Sequence, residues 1–252
     1  MVQKVLPGGP VPERVLVDTL GSCFDNLQNS DRGKATTALA EVINHGVEAV
    51  PRILGRIESC NSEKTPAAYM EAADLILATA VILAPKEGEA SPPPSLGDLR
   101  RTTIEALGKY TVKGENEVGV RKFAEWAVGR IVGKRPTFDQ ASADIASASF
   151  EGFFKPVLGA ADFLFIDDPR AVDVLMATST METKNKDTGP VLRGTAAFVF
   201  GRKFLGEPGV DTWLMSRKTT DKFYTGEDGG QRPTGVDQIA REALKGSFKP
   251  KI

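Results

Sequence analysis

Histidines, cysteines and paired carboxylates are the side chains best suited to chemistry, and this chain has few of them. It carries one histidine and two cysteines in 252 residues. His45 is the only imidazole available as a base, and it closes an apolar helical pattern, Val42-Ile43-Asn44-His45-Gly46. A cation at a helix C-terminus is stabilising, so that position has a sufficient structural reason. Cys23 and Cys60 are far apart with no Cys-x-x-Cys, which leaves no clustered ligands for zinc. Each falls in an apolar helical pattern and reads as a buried free thiol. Asp167-Asp168 precedes Pro169, and a helix start explains that pair better than a carboxylate-only metal site. No Gly-x-Ser-x-Gly elbow is present. No catalytic residue, metal or cofactor is therefore expected.

Two segments approach a phosphate-binding loop, and each fails by one feature. Gly129-Arg130-Ile131-Val132-Gly133-Lys134-Arg135 is one residue short and lacks Ser or Thr. Gly189-Pro190-Val191-Leu192-Arg193-Gly194-Thr195 has the length but no Lys. Neither follows a buried strand, which the backbone cradle requires. The first lies within a local basic excess: Lys109, Lys113, Arg121, Lys122, Arg130, Lys134 and Arg135 against Glu115, Glu117 and Glu125. Trp126 stands beside it. A cationic stripe of this kind draws phosphate backbones, so Arg121, Lys122, Trp126, Arg130, Lys134 and Arg135 are the candidate binding residues. A solvated helix face is the plainer reading of the same charges. The whole chain has 32 basic and 33 acidic residues and a net charge of -1, which disfavours a strongly basic nucleic-acid binder.

The elements that would hold these residues read as helices almost throughout. Leu16, Leu20, Cys23, Phe24 and Leu27 recur at three- and four-residue steps. Pro12 suits the first turn of that helix. Asp31 is placed to cap the next helix and Gly46 to close it in a left-handed conformation. Thr65-Pro66 opens a helix that runs to Pro85. Residues 85–95 carry four prolines and mark the clearest loop or division in the chain. Helices follow over 99–110 and 118–132, and residues 138–166 are divided by Pro156. Asp167-Asp168 starts a helix with Val172, Leu175 and Met176 inward. A polar loop, 182–190, leads into a helix over 191–205, and a last helix spans 234–245. Residues 227–235 read as a turn-rich loop, and the final GSFKPKI as a frayed tail. No strand is expected, and no uninterrupted apolar run has the ~18–20 residues of a membrane span. The expectation is an all-α fold in one helical domain over 1–252.

A short pattern repeats within these helices. Leu99-Arg100 leads to Leu107-Gly108-Lys109, Val120-Arg121 to Val128-Gly129-Arg130, and Leu192-Arg193 to Phe200-Gly201-Arg202. Arg precedes Gly by eight residues each time, so the apolar partners share a face. The glycine lets a neighbouring helix approach or lets the helix end, and the arginine is free to bind a carboxylate on the next unit. Glu13-Arg14 to Leu20-Gly21 is a poorer copy. The pattern resembles the V-R-x-x-A-x-x-A-L-G signature of HEAT repeats of the phycobilisome-lyase type. Residues 34–59 look like one such unit, although the first two copies lie 21 residues apart, short of the ~40 of a HEAT repeat.

That resemblance implies an irregular α-solenoid of HEAT-like helical hairpins, with a compact irregular helical domain as the alternative. It implies a non-enzymatic scaffold or adaptor that lays another protein or a peptide segment along its surface. Nucleic-acid binding through residues 109–135 is the alternative function. A lyase, or a DNA glycosylase for alkylated bases with a carboxylate in an aromatic cationic groove, is a minor third reading. The first ten residues hold one Lys and no apolar stretch, so no secretory signal is expected. With isolated cysteines this points to a cytoplasmic protein with no membrane partner.

Overall fold

The computed structural model describes residues 13–86, 89, 92–112, 117–149, 152–225 and 229–250, with side chains from residue 19 onward. The leader, Pro12, the side chains of the 14–21 repeat copy before Thr19, Lys113, Glu115 and parts of the 85–95 and 227–235 loops lie outside the described residues.

Twelve α-helices form among the described residues; the structure is 71% helical, which places the chain in the all-α class. In chain order they are α1 (Glu13–Leu27), α2 (Arg32–Asn44), α3 (Val50–Glu63), α4 (Pro66–Leu83), α5 (Pro94–Gly108) and α6 (Val118–Ile131). Then come α7 (Phe138–Ala146), α8 (Phe154–Asp162), α9 (Ala171–Ala177), α10 (Thr188–Val199), α11 (Val210–Thr220) and α12 (Val236–Leu244). Their ends follow from local chemistry. Asp31 accepts from the N–H groups of Gly33 and Lys34 at the start of α2, and Gly46 takes φ 69° just beyond its end. Thr65 accepts from the Ala68 N–H and Pro66 fills the first turn of α4. Gly133, at φ 88°, ends α6 with the Lys134 N–H bonded back to the Gly129 carbonyl at 2.9 Å.

Several expectations need correcting. Pro156 sits in the first turn of α8 and does not divide 138–166; the break lies before Phe154. Asp168 does not cap α9 directly. It accepts from the Arg170 N–H at 2.9 Å, and the helix begins at Ala171. Residues 188–190 already belong to α10 rather than to the preceding loop. Two three-residue strands, β1 (Phe223–Thr225) and β2 (Gln231–Pro233), pair antiparallel with Tyr224 opposite Arg232. They are too short for period-two alternation to register. Residues 66–83 form an 18-residue helix with mean hydropathy 1.5, long and apolar enough by that measure to cross a membrane. Here α4 is instead packed by α2, α3 and α6. Its two acidic residues face cations: Glu71 bonds Arg56 at 2.6 Å and Asp74 lies 3.5 Å from Arg32.

The largest correction concerns the C-terminus. Phe248 is fully buried, with its ring centroid 5.4 Å from that of Phe198. The Asn44 side-chain amide donates to the Lys249 carbonyl at 3.3 Å. Next to this tail, α12 packs on α2, and the Gln238 side chain accepts from the Arg32 N–H at 2.8 Å. Elements from opposite ends of the sequence thus share one core. The loop of 85–95 is also bridged, because α4 before it packs on α6 after it.

The repeated Arg–Gly units serve mixed ends. Gly201 is a close approach: a Cβ there would lie 2.7 Å from both the Ala243 Cβ and the Phe248 ring. Gly108 closes α5, whereas Gly129 lies inside α6, where a Cβ would meet the Lys134 Cδ at 4.0 Å. Arg100 does bind a carboxylate, Glu89, at 2.8 and 3.0 Å, and Arg193 binds Asp221. The Arg121 Nε has no hydrogen-bond partner among the described residues.

Candidate functional site

Helix α6 separates two recesses, and Arg130 lines both. One turn earlier on α6 stands Trp126, so the two side chains project together toward the end of α8. There they meet Asp162, which is almost fully buried. The Trp126 Nε1 and the Arg130 Nε both donate to Oδ1 of Asp162 at 2.7 Å. The Arg130 Nη2 donates to Oδ2 at 2.7 Å, completing a bidentate pair. Burial pushes the Asp162 carboxyl above its ordinary range, opposed by the guanidinium and the indole N–H. Arg130 also donates from Nη1 to the Lys134 carbonyl at 2.6 Å, holding the end of its own helix. This side chain is committed to the structure before any ligand arrives.

The first recess, about 550 Å³, opens over this triad. Lys122, Arg130 and Lys155 line it together with Glu125, Asp144 and Asp162, so its charges balance. Phe154 and Leu158 supply apolar wall. In outline it contains a carboxylate beside aromatic rings. That carboxylate accepts three hydrogen bonds, and its side chain is only 3% exposed.

The second recess, about 400 Å³, is different in charge. Its cations are Lys86 beyond α4, Arg130, Lys134 and Arg135 from the end of α6, and Arg202 and Lys203 from beyond α10. Asp167 is the one acidic side chain lining it among the described residues. The last two cations are presented by a five-residue π-helical turn, Phe200–Phe204, that continues α10. Helix ends account for part of the cluster. Arg135 donates to the Lys86 carbonyl at 2.8 Å, and the Lys203 Nζ reaches the Ile166 carbonyl and Asp167 Oδ1, each at 2.6 Å. Arg202 is held by neutral groups, the Phe248 carbonyl at 3.1 Å and the Asn44 Oδ1 at 3.3 Å. Burial without a carboxylate pushes its guanidinium below the ordinary value. Lys134 is exposed and its ammonium has no hydrogen bond or ion pair among the described residues.

The residues singled out from the sequence thus part company. Arg130, Lys134 and Arg135 meet in the cationic recess; Lys122 and Trp126 face the other one. Lys122 is paired with Glu125 at 2.8 Å, and Arg121 lines neither recess. Of the span 109–135, the three residues from 130 onward are the ones that gather at the cationic recess. Sequence reasoning missed Lys86, Arg202 and Lys203, which converge only through tertiary packing. The Gly201-Arg202 pair was visible in the repeat, but nothing local marked its direction. Asp162 carried no signal at all. Elsewhere, Cys23 and Cys60 are buried and in no disulfide, and burial pushes the Cys60 thiol up to about 12. His45 stands at the C-terminus of α2. Among the described residues, no group of three His, Cys, Asp or Glu side chains is placed to hold a metal ion.

Compared with known proteins, the chain matches no family model, no curated protein and no solved structure.

Proposed function

We propose that this chain works by binding, as a helical adaptor that receives an anionic segment of a partner protein in the cationic recess. The observation that carries this is the convergence of six basic side chains from separate parts of the chain on one cavity lined, among the described residues, by a single carboxylate. Like charges held together cost free energy unless an opposite charge completes them, and such a concentration attracts and orients an anionic partner. Packing of consecutive helices, α1 on α2, α3 on α4, α5 on α6 and α7 on α8, supports a scaffold of HEAT-like hairpins. In a linear stack each unit touches only its neighbours, so the contact of α12 with α2 favours the compact form of that architecture. A reducing, cytoplasmic setting suits the two buried thiols.

Nucleic-acid binding is the second reading, and the same recess favours it through Arg130, Lys134 and Arg135. Two features weigh against it: the cations ring one cavity instead of tracking a backbone, and the chain's net charge is -1. Affinity capture from the native lysate, with and without nuclease, separates the two. The adaptor reading predicts a discrete protein that survives nuclease and is lost from the Lys86→Glu/Lys134→Glu variant. Recovery abolished by nuclease transfers the site to nucleic acid, and capture indifferent to both treatments removes the recess from the account.

A further inference from the structure

We propose that the cationic recess is a binding site for a phosphate monoester, held as its dianion between Arg202, Lys203, Lys134 and Arg135. This rests on the reading that this face binds an anion, and goes further by naming the group. A single carboxylate is too little charge for the site. Asp167 already supplies one and engages Lys203 at 2.6 Å, yet Lys134 and Arg202 still lack an acidic partner among the described residues. A phosphate monoester brings close to two charges and three acceptor oxygens, enough to take donors from several directions at once. Guanidinium groups fit such oxygens in pairs, and two arginines besides the committed Arg130 line the cavity.

The rest of the wall suits the carbon side of an ester. Val81, Leu164 and Phe165, with Pro85 and Pro136, line the same cavity as the cations. Its volume of about 400 Å³ is in the range of small-ligand sites and far more than a bare anion requires. The segment Gly129–Arg135, which fails as a phosphate loop by its length and lack of a hydroxyl, contributes here through side chains. Gly133 turns the chain at φ 88°, so Lys134 and Arg135 leave the helix axis and come to the rim. The proposal also explains the cost of Arg202, a partly buried cation satisfied among the described residues by neutral oxygens.

Isothermal titration with phenyl phosphate tests it, with phenylacetate as the monoanionic control of similar shape. The expected result is binding at least about tenfold tighter for phenyl phosphate, a difference large enough to resolve directly. Lys134→Glu, an exposed position, should weaken phenyl phosphate by roughly tenfold or more with the helical spectrum and melting temperature unchanged. Arg202→Gln should do the same and Arg202→Lys should restore part of the affinity, which a folding defect would not. Phenyl phosphate no tighter than phenylacetate, or Lys134→Glu binding it as wild type, overturns the proposal. A peptide carrying O-phosphoserine distinguishes the source. Binding tighter than phenyl phosphate assigns the group to a phosphorylated protein segment, and equal affinity to a free ester. The two readings also fail separately. If lysate capture depends on Lys86 and Lys134 but phenyl phosphate does not bind, the phosphate assignment falls and the adaptor stands.

Discussion

Removing the Asp162 carboxylate should expose how much of the fold depends on the joint between α6 and α8. Asp162→Ala leaves the Arg130 guanidinium, 16% exposed, without its bidentate partner and leaves the Trp126 N–H unbonded. Breaking a buried pair from one side costs about 3–5 kcal/mol, and an orphaned N–H adds about 1–3 kcal/mol. Arg130 keeps its bond to the Lys134 carbonyl and borders both recesses, so water relieves part of this. The expected loss is about 3–4 kcal/mol, or roughly 10 °C in melting temperature for a chain of this size. Asp162→Asn keeps an acceptor for the indole and should lose about half as much. The double variant Arg130→Met/Asp162→Leu removes both charges together and should recover most of the stability, because the pair pays a desolvation cost in the native state. Urea unfolding of the wild type and these three variants makes the comparison. A loss below about 1 kcal/mol for Asp162→Ala, or a double variant as unstable as the single one, would refute a buried, structurally committed pair.

Three further outcomes follow from the packing. Phe248→Ala should cost about 3–5 kcal/mol in chemical denaturation, since the ring is fully buried against Phe198; a frayed tail would show no change. Gly201→Ala drives a methyl against Ala243 and Phe248, and should destabilise by about 1–3 kcal/mol despite the better helix propensity of alanine. The Cys60 thiol keeps its proton up to about 12 in the folded protein but loses it near 9 when unfolded. The unfolded state then binds fewer protons between those values, so stability falls as pH rises through that window. Cys60→Ala should flatten that decline relative to wild type, and an unchanged slope would contradict the burial of the thiol.

Much of the helical order is written locally. Asp31, Gly46, Thr65 and Pro66 each act on backbone groups within four residues, so their effect survives without knowledge of the fold. What escaped was decided at long range. Phe248 belongs to a polar tail by composition and is buried because its ring packs on Phe198 of α10 and against Gly201 in the π-turn after it. The strands of 223–233 are held by pairing with each other and by Thr234, whose hydroxyl donates to the Asp221 carbonyl. Of the binding residues, Lys134 and Arg135 were legible as a basic run beside a helix-ending glycine. Arg130 was legible as a charge but not as the partner of Asp162, which lies 32 positions away in sequence. Arg202 and Lys203 needed the π-turn after α10, the 164–167 segment and the end of α6 to come together on one cavity, and no local pattern encodes that convergence.

On the function proposed above, the cationic recess is the working surface of this protein. Partner capture by the wild type and by the Lys86→Glu/Lys134→Glu variant, side by side from nuclease-treated lysate, tests it most directly. Both positions are exposed, so the variant should fold and melt as wild type does. A discrete partner should be retained by the wild type and lost from the variant. A partner retained equally by both would contradict it and place the binding surface elsewhere on the molecule.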